Sequence, residues 1–378
     1  MDFDLSEDQR LLKDSLTRLL NDRYDFERRK TYMSHPQGWS SEQWGRYAQM
    51  GLLALPFAES DGGLGGGAVE TLIVMEAFGR VLALEPFLST VVLCGGLLRL
   101  GGSPHQRTRL IPALAEGRLL LAFAQAEKQS RYDLGDVSTT ALRKRDGWVL
   151  RGEKRYVLHG NSADQLIVSA RVDGDRRDRT GIGLFIVDSG SPGLSRRGYR
   201  VQDGLRAAEI TLNDVHIGAD ALIGEPGQAL PLVERVVDSA IAALCAEAVG
   251  AMDRAHQITI DYLKTRKQFG TLIGSFQALQ HRAVDMLVKV EEARSMAMYA
   301  AMMCEDPDPS ERRRAISAAK VQIGQSGKFV GEQAIQLHGG IGMTDECQVG
   351  HYYRRLTMID LLFGDMNYHL GVLARSDS

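Results

Sequence analysis

The sequence predicts a mainly α-helical chain with a β domain set in its middle, and three observations predict it. Apolar residues recur at helical spacing up to residue 119; short β-type runs between Asp and Gly turns fill 120–226; the helical period returns from 227 onward. Blocks of one element type following one another argue for separate domains rather than an alternating βαβ fold. The expected divisions are an N-terminal helical domain at 1–119, a β-barrel or sandwich at 120–226 and a C-terminal helical bundle at 227–378. A chain of 378 residues also exceeds one ordinary core of about 100–200 residues, so two or three packed units are expected.

Taken in order, Ser6 and Gln9 have the spacing of a capping box, and Leu11, Leu12, Leu16, Leu19 and Leu20 then repeat on one helical face. The glycine-rich stretch DGGLGGG at 61–67 precedes another apolar-periodic run, VETLIVMEAFGRVL. It reads as a turn before a helix rather than a phosphate cradle, since no Gly-Lys-Ser/Thr follows. LLLAFAQAE, WVLRGEKRYVL, DQLIVSARV, GIGLFIVD and AAEITLNDVHI then read as strands. Three long helical patterns follow, beginning at VERVVDSAIAAL, SFQALQHRAV and SERRRAISAA, and they predict a bundle with apolar surface left over for subunit contacts.

Composition narrows the partners. Forty-five basic against 48 acidic side chains leave no excess for gripping nucleic acid, and 44% apolar with 25% charged residues is the balance of a globular protein. Cys94, Cys245, Cys304 and Cys347 form no CxxC pair, which argues against a disulfide framework or structural zinc. No His, Cys, Asp and Glu cluster has metal-ligand spacing. The opening MDFDLSEDQR is acidic and no apolar run approaches about 18 residues, so the expected location is the cytoplasm, with no membrane span.

Arg266, Lys267 and Gln268 sit at a helix end beside a glycine turn, where a forked guanidinium and an amide suit phosphate oxygens; a solvated basic turn is the alternative. Gly339 and Gly340 close another helix and suit a Schellman-type cap or a close backbone approach to a ligand. Within these surroundings DYLKTRKQFGTLIGSFQALQHRAVDM at 261–286 resembles the flavin-dependent acyl-CoA dehydrogenase family, through Tyr262, Arg266, Phe269, Gly270 and Gln277. QAIQLHGGIGMTDE at 333–346 and GLRAAEITLNDVHIGADALIG at 204–224 extend the likeness, which covers essentially the whole chain. At whole-sequence level it is most similar to the small subunits of the two-subunit pimeloyl-CoA dehydrogenases.

That resemblance implies the family's architecture, including a C-terminal four-helix bundle, and FAD as cofactor. It implies that Arg266, Gln268, Phe269, Gln336, Gly339 and Gly340 contact the adenosine-diphosphate side of the FAD of a neighbouring subunit, and that Gln277 also belongs to the cofactor-binding set. The family's β domain serves the polar edge of the flavin ring with threonines; here Ala126 and Leu158 stand in those places, and neither side chain donates a hydrogen bond. Tyr156 keeps an aromatic that could pack on the ring or face inward from its strand.

Desaturating an acyl thioester requires a positioned base for the α proton while hydride leaves the β carbon, and burial raises that base's pKa. The family's usual Glu corresponds to Phe363, ahead of Gly364 and Asp365, and a rarer seat on an earlier helix corresponds to Ala240. Asp365 and Glu247 are the candidate substitutes. Asp365, displaced by about 200° of helix from the usual position, also suits an N-cap, and His369 suits a partner or surface residue better than a catalyst. Positions that would serve this chain's own ring are lost, whereas those reaching a neighbour's FAD are kept. The expectation is therefore the base-lacking small subunit of a heteromeric (α2β2) acyl-CoA dehydrogenase, in fatty or dicarboxylic acid β-oxidation, passing electrons to an electron-transferring flavoprotein. The alternatives are a homotetramer using Asp365 or Glu247, a flavin monooxygenase, and a non-catalytic interaction subunit.

Overall fold

The computed structural model describes residues 5–376; the start of the acidic N-terminal stretch, residues 1–4, and residues 377 and 378 lie outside the described residues. Helix α1 (Glu7–Arg23) begins on the expected capping box, with Ser6 and Gln9 each accepting from the other's backbone N–H. There follow α2 (Phe26–Ser34), α3 (Ser41–Gln49), α4 (Ala68–Val81), α5 (Gly95–Gly101) and α6 (Pro104–Ala115), with a π-helical segment, Phe87–Cys94, leading into α5. The glycine-rich loop before α4 is a bonded turn rather than a cradle. The N–H groups of Gly63, Leu64, Gly65 and Gly66 donate to Ala58, Ala54, Phe57 and Leu55, so none of the four is left to bind an anion.

The middle of the chain forms one eight-stranded sheet. Its strands are β1 (Leu121–Ala124), β2 (Thr140–Lys144), β3 (Gly147–Leu158), β4 (Gln165–Arg171), β5 (Ile182–Asp188), β6 (Leu194–Arg200), β7 (Arg206–Gly218) and β8 (Leu222–Ile223). The order is β6-β7-β3-β2-β4-β5-β8, with β1 parallel beside β4. Alternating apolar side chains build its core, in which Trp148 meets Phe185 edge to face at 5.1 Å among Leu150, Val168, Ile210 and Leu212. The five strands expected from sequence are present. Strands β2 and β6 escaped that reading because TALRK and LSRRGYR are mostly exposed and carry no apolar alternation.

Beyond the sheet come α7 (Leu230–Thr265), the hairpin β9 (Lys267–Gln268) and β10 (Thr271–Leu272), α8 (Gln277–Met303), α9 (Pro309–His338), α10 (Gln348–Leu361) and α11 (Met366–Ser376). Helix α9 starts where Asp308 caps the N–H groups of Ser310 and Glu311, with Pro309 at its first position. Ala283, Met286, Val290, Ala293, Ala297 and Ala300 give α8 a buried stripe of small and medium side chains.

These elements form two compact units that cut across the blocks of sequence. One comprises residues up to 31, 68–83 and 241 onward; the other comprises 32–67 and 84–240. In the first, α4 and α7 cross at reciprocal glycines. A Cβ on Gly79 would stand 1.9 Å from the Glu247 carbonyl oxygen, and one on Gly250 would stand 1.9 Å from that of Glu76. Only glycine lets the two backbones come so close.

Candidate functional site: a cofactor edge and a vacated base position

Helix α10 ends in a turn that brings Phe363 and Gly364 to φ +58° and +122°. A bulky side chain at positive φ is a costly conformation, and it persists only where the surroundings fix it. Here Lys320 fixes it: its buried ammonium donates to the carbonyls of Asp360 (2.7 Å) and Gly364 (2.6 Å), bridging both sides of the turn. Burial pushes the Lys320 pKa down to about 8. Gly364 is obligatory, since a Cβ there would meet Tyr368 at 2.5 Å and His369 at 2.6 Å.

The two candidate bases are both engaged. Asp365 accepts from the Tyr368 N–H at 2.8 Å and its own carbonyl takes the His369 N–H, which makes it the cap of α11. Glu247 is buried and meets Arg355 through both oxygens, at 2.6 and 2.7 Å. A carboxylate clamped in that fork is poorly placed to accept a substrate proton. His369 is fully buried rather than on the surface; its Nδ1 lies 3.0 Å from Ser317 Oγ. Burial and the neighbouring Lys320 and Arg313 push its pKa down to about 3, so it is neutral at ordinary pH. Ala240, at the rarer seat, is fully buried in α7.

A second cluster lies at the far ends of α7 and α9. Tyr262 stacks on His338 with ring centroids 4.4 Å apart, which sets the end of α7 beside the end of α9. Arg266 closes α7, Gln268 and Phe269 form the hairpin, Gln277 opens α8, and Gln336, Gly339 and Gly340 finish α9; all seven are exposed. Phe269 is 90% exposed and held at φ +54°. Gly339 alone of the glycine pair has positive φ, and its ψ of −146° is not the left-handed helical geometry of a Schellman cap. No atom lies within 4 Å of where a Cβ would stand on Gly339, Gly340 or Gly270. A guanidinium, primary amides, an exposed aromatic and bare glycine backbone fit a diphosphate joined to a flat base. Val284, Leu287 and Val288 add an exposed apolar stripe on α8.

In the β domain, Tyr156 sits at φ +53° where the β3–β7 register shifts, and it is half-buried. Leu158 is buried beside it, and the Ala126 carbonyl accepts the Arg155 N–H at 2.8 Å. Sequence reading missed the ion pair next to them. Lys154 is fully buried and donates to Glu127 (2.7 Å), Ser169 and the Gln125 carbonyl, while Glu127 also accepts from Ser138 and Thr139. The available signal was a lysine on the same alternation as the inward-facing Trp148 and Leu150 of its strand. Burial pushes the Glu127 pKa up, but Lys154 and the hydrogen bonds of Ser138 and Gln129 outweigh it and bring it to about 2.

A folded pKa below the ordinary 4.5 contributes stability that is complete above that value and is lost as pH falls toward about 2. Urea midpoints measured from about pH 6 down to about pH 3 should therefore record a loss on the order of 2 kcal/mol from this group, and Lys154→Met should flatten that slope.

Among the described residues no cluster of three or more His, Cys, Asp or Glu side chains could hold a metal, and no helix is long and apolar enough to cross a membrane. Family models match along the chain: acyl-CoA dehydrogenase N-terminal domain over residues 6–118, middle domain over 122–215 and C-terminal domain over 232–376. The probable acyl-CoA dehydrogenase fadE25 of Mycobacterium bovis is 30% identical over 330 residues, covering 86% of this chain and 84% of the relative. The caffeyl-CoA reductase-Etf complex subunit CarC of Acetobacterium woodii is 30% identical over 314 residues, 82% of each chain. The solved structure of a variant of the Tcur3481-Tcur3483 steroid ACAD superposes with a TM-score of 0.87 at 28% identity, covering 98% of both chains. With the helical, β and helical blocks, the three domain matches and these relatives agreeing, the chain belongs to the acyl-CoA dehydrogenase family, FAD-dependent oxidoreductases of acyl-CoA CH–CH bonds.

Proposed function

We propose that this chain is a base-lacking subunit of a heteromeric acyl-CoA dehydrogenase, working in the cytoplasm beside a partner subunit that supplies the carboxylate. The observation that carries the reading is Phe363: the turn that the resemblance matches to the family's base position has positive φ and is braced by Lys320, while the side chain it presents is a phenyl ring. The engagement of Glu247 by Arg355 and of Asp365 in the α11 cap supports a partner-supplied base over a self-sufficient homotetramer. FAD, when bound, supplies the hydride acceptor. In this reading Arg266 and Gln268 hold its diphosphate, Gly339 and Gly340 admit it close to backbone, Phe269, Gln277 and Gln336 line its adenosine side, and Tyr156 packs near a ring. The exposed stripe of Val284, Leu287 and Val288 is further surface for assembly. The solved relative is named as a pair of gene products, and CarC is named as a subunit of a reductase–Etf complex, which supports a partner chain and an electron-transferring flavoprotein as redox partner. A pimeloyl group gains no support from those relatives, so the proposal is made for acyl-CoA thioesters without that narrowing.

The test is to express the chain alone and with an acyl-CoA dehydrogenase-like partner, then measure FAD per chain and its bleaching by acyl-CoA. Flavin and bleaching that appear only on co-expression are expected; a lone yellow protein reduced by an acyl-CoA would sink the reading. In the assembled complex, Arg266→Ala should lower FAD retention about tenfold or more, read by absorbance after gel filtration. Asp365→Ala should leave turnover within about threefold of the parent; a loss of about 10³ would make Asp365 the base.

A further inference from the structure

A cavity of about 260 Å³ opens among α1, the α1–α2 turn, the end of α4, α7 and α10, and none of its lining residues belongs to either cluster described above. Its wall carries three guanidinium groups, Arg29, Arg80 and Arg254, and one carboxylate, Asp25. Asp25 is turned to Arg28, whose N–H it accepts at 2.8 Å and whose Nε lies 3.5 Å away. Arg80 pairs with Asp253. Arg29 is 2% exposed; its Nε donates to the Leu82 carbonyl at 2.8 Å and its Nη1 lies 3.4 Å from His351 Nδ1, which fixes the guanidinium in the cavity wall. Tyr352 stands among them and donates to the Arg80 carbonyl at 2.5 Å.

Three like charges converge on this one hydroxyl. Burial raises the Tyr352 pKa to about 12, while Arg254, Arg29 and Arg80 each pull it down. Burial and the nearby Arg254 likewise lower the pKa of Arg80. Gathering guanidiniums costs Coulomb energy that an anion between them would recover. The volume lies below the roughly 300–1,000 Å³ of pockets for drug-sized ligands, which excludes a second nucleotide and suits a few heavy atoms. Forked guanidiniums with an amide, Gln348, on the rim match tetrahedral oxygens. We propose that this cavity binds a phosphoryl group, as inorganic phosphate or the head of a small phosphomonoester. Because α10 carries Tyr352 and runs into the Phe363–Gly364 turn, the bound anion would tie that helix to α1, α4 and α7.

The experiment is thermal unfolding of the chain as purified alone, and again in the co-expressed complex, titrated with inorganic phosphate or with glycerol phosphate against chloride at matched ionic strength. A saturable rise of a few degrees is expected from phosphate. Arg254→Gln should abolish it, Arg254→Lys should weaken saturation about tenfold by losing the fork, and Arg145→Gln in the exposed β2–β3 turn should leave it unchanged. An equal or tighter response to glycerol phosphate identifies an ester as the ligand; a response to phosphate alone identifies the free ion. No rise beyond chloride, a rise that survives Arg254→Gln at full strength, or one lost with Arg145→Gln would overturn the proposal.

Discussion

Arg355→Met is expected to remove about 3–5 kcal/mol of folding stability, because it strands the Glu247 carboxylate in a buried site. The pair is bidentate at 2.6 and 2.7 Å with both side chains nearly inaccessible, so the loss of one partner is not repaired by solvent. Replacing both, Glu247→Leu with Arg355→Met, should recover most of that loss, since two apolar groups of similar volume avoid desolvating two charges. Urea midpoints of the two single variants and the double variant give the coupling directly. A single Arg355→Met variant within about 1 kcal/mol of the parent would mean that the carboxylate finds water or another donor. The same series bears on chemistry: with Glu247 acting only in the pair, Glu247→Gln in the assembled complex leaves flavin reduction near the parent rate, whereas a true base lost there costs about 10² or more.

The second large effect is at the crossing of α4 and α7. Gly250→Ala should be worth about 1 kcal/mol in favour of an isolated helix, so a net loss reports the crossing itself. A Cβ only 1.9 Å from the Glu76 carbonyl oxygen meets backbone, and no rotamer can relieve it. We expect at least about 3 kcal/mol of destabilisation, and the same for Gly79→Ala, which meets the Glu247 carbonyl. Gly45→Ala is the internal control, as no atom lies within 4 Å of its added Cβ inside α3; it should be neutral or slightly stabilising. Parent-like midpoints for Gly79→Ala and Gly250→Ala would show that the two helices slide apart at little cost.

What the sequence made legible follows from how local each feature is. The capping box at Ser6, the periodicity of α7, α8 and α9, and the apolar patterns of strands β3, β5 and β7 are written within a few residues of one another. The cofactor-edge motif is likewise local, because the end of a helix, a hairpin and the start of the next helix are contiguous from Arg266 to Gln277. The pairs Glu127–Lys154 and Glu247–Arg355, and the Lys320 clamp on Gly364, join residues far apart in the chain. Nothing in one sequence marks which distant charge meets which. Residue 363 is the intermediate case: its identity was readable, but its positive φ and the lysine beneath it required coordinates.

Strand β6 ends the sheet with Arg196, Arg197 and Arg200 in seven residues and a mostly exposed backbone. A free sheet margin is a template on which another copy's strand can add indefinitely. Here any such newcomer would bring its own arginines alongside these, and the repulsion would grow with each added strand. At the opposite margin β8 is two residues long, too short to nucleate pairing. The two margins of the sheet thus each carry a guard against strand addition, charge on one side and brevity on the other.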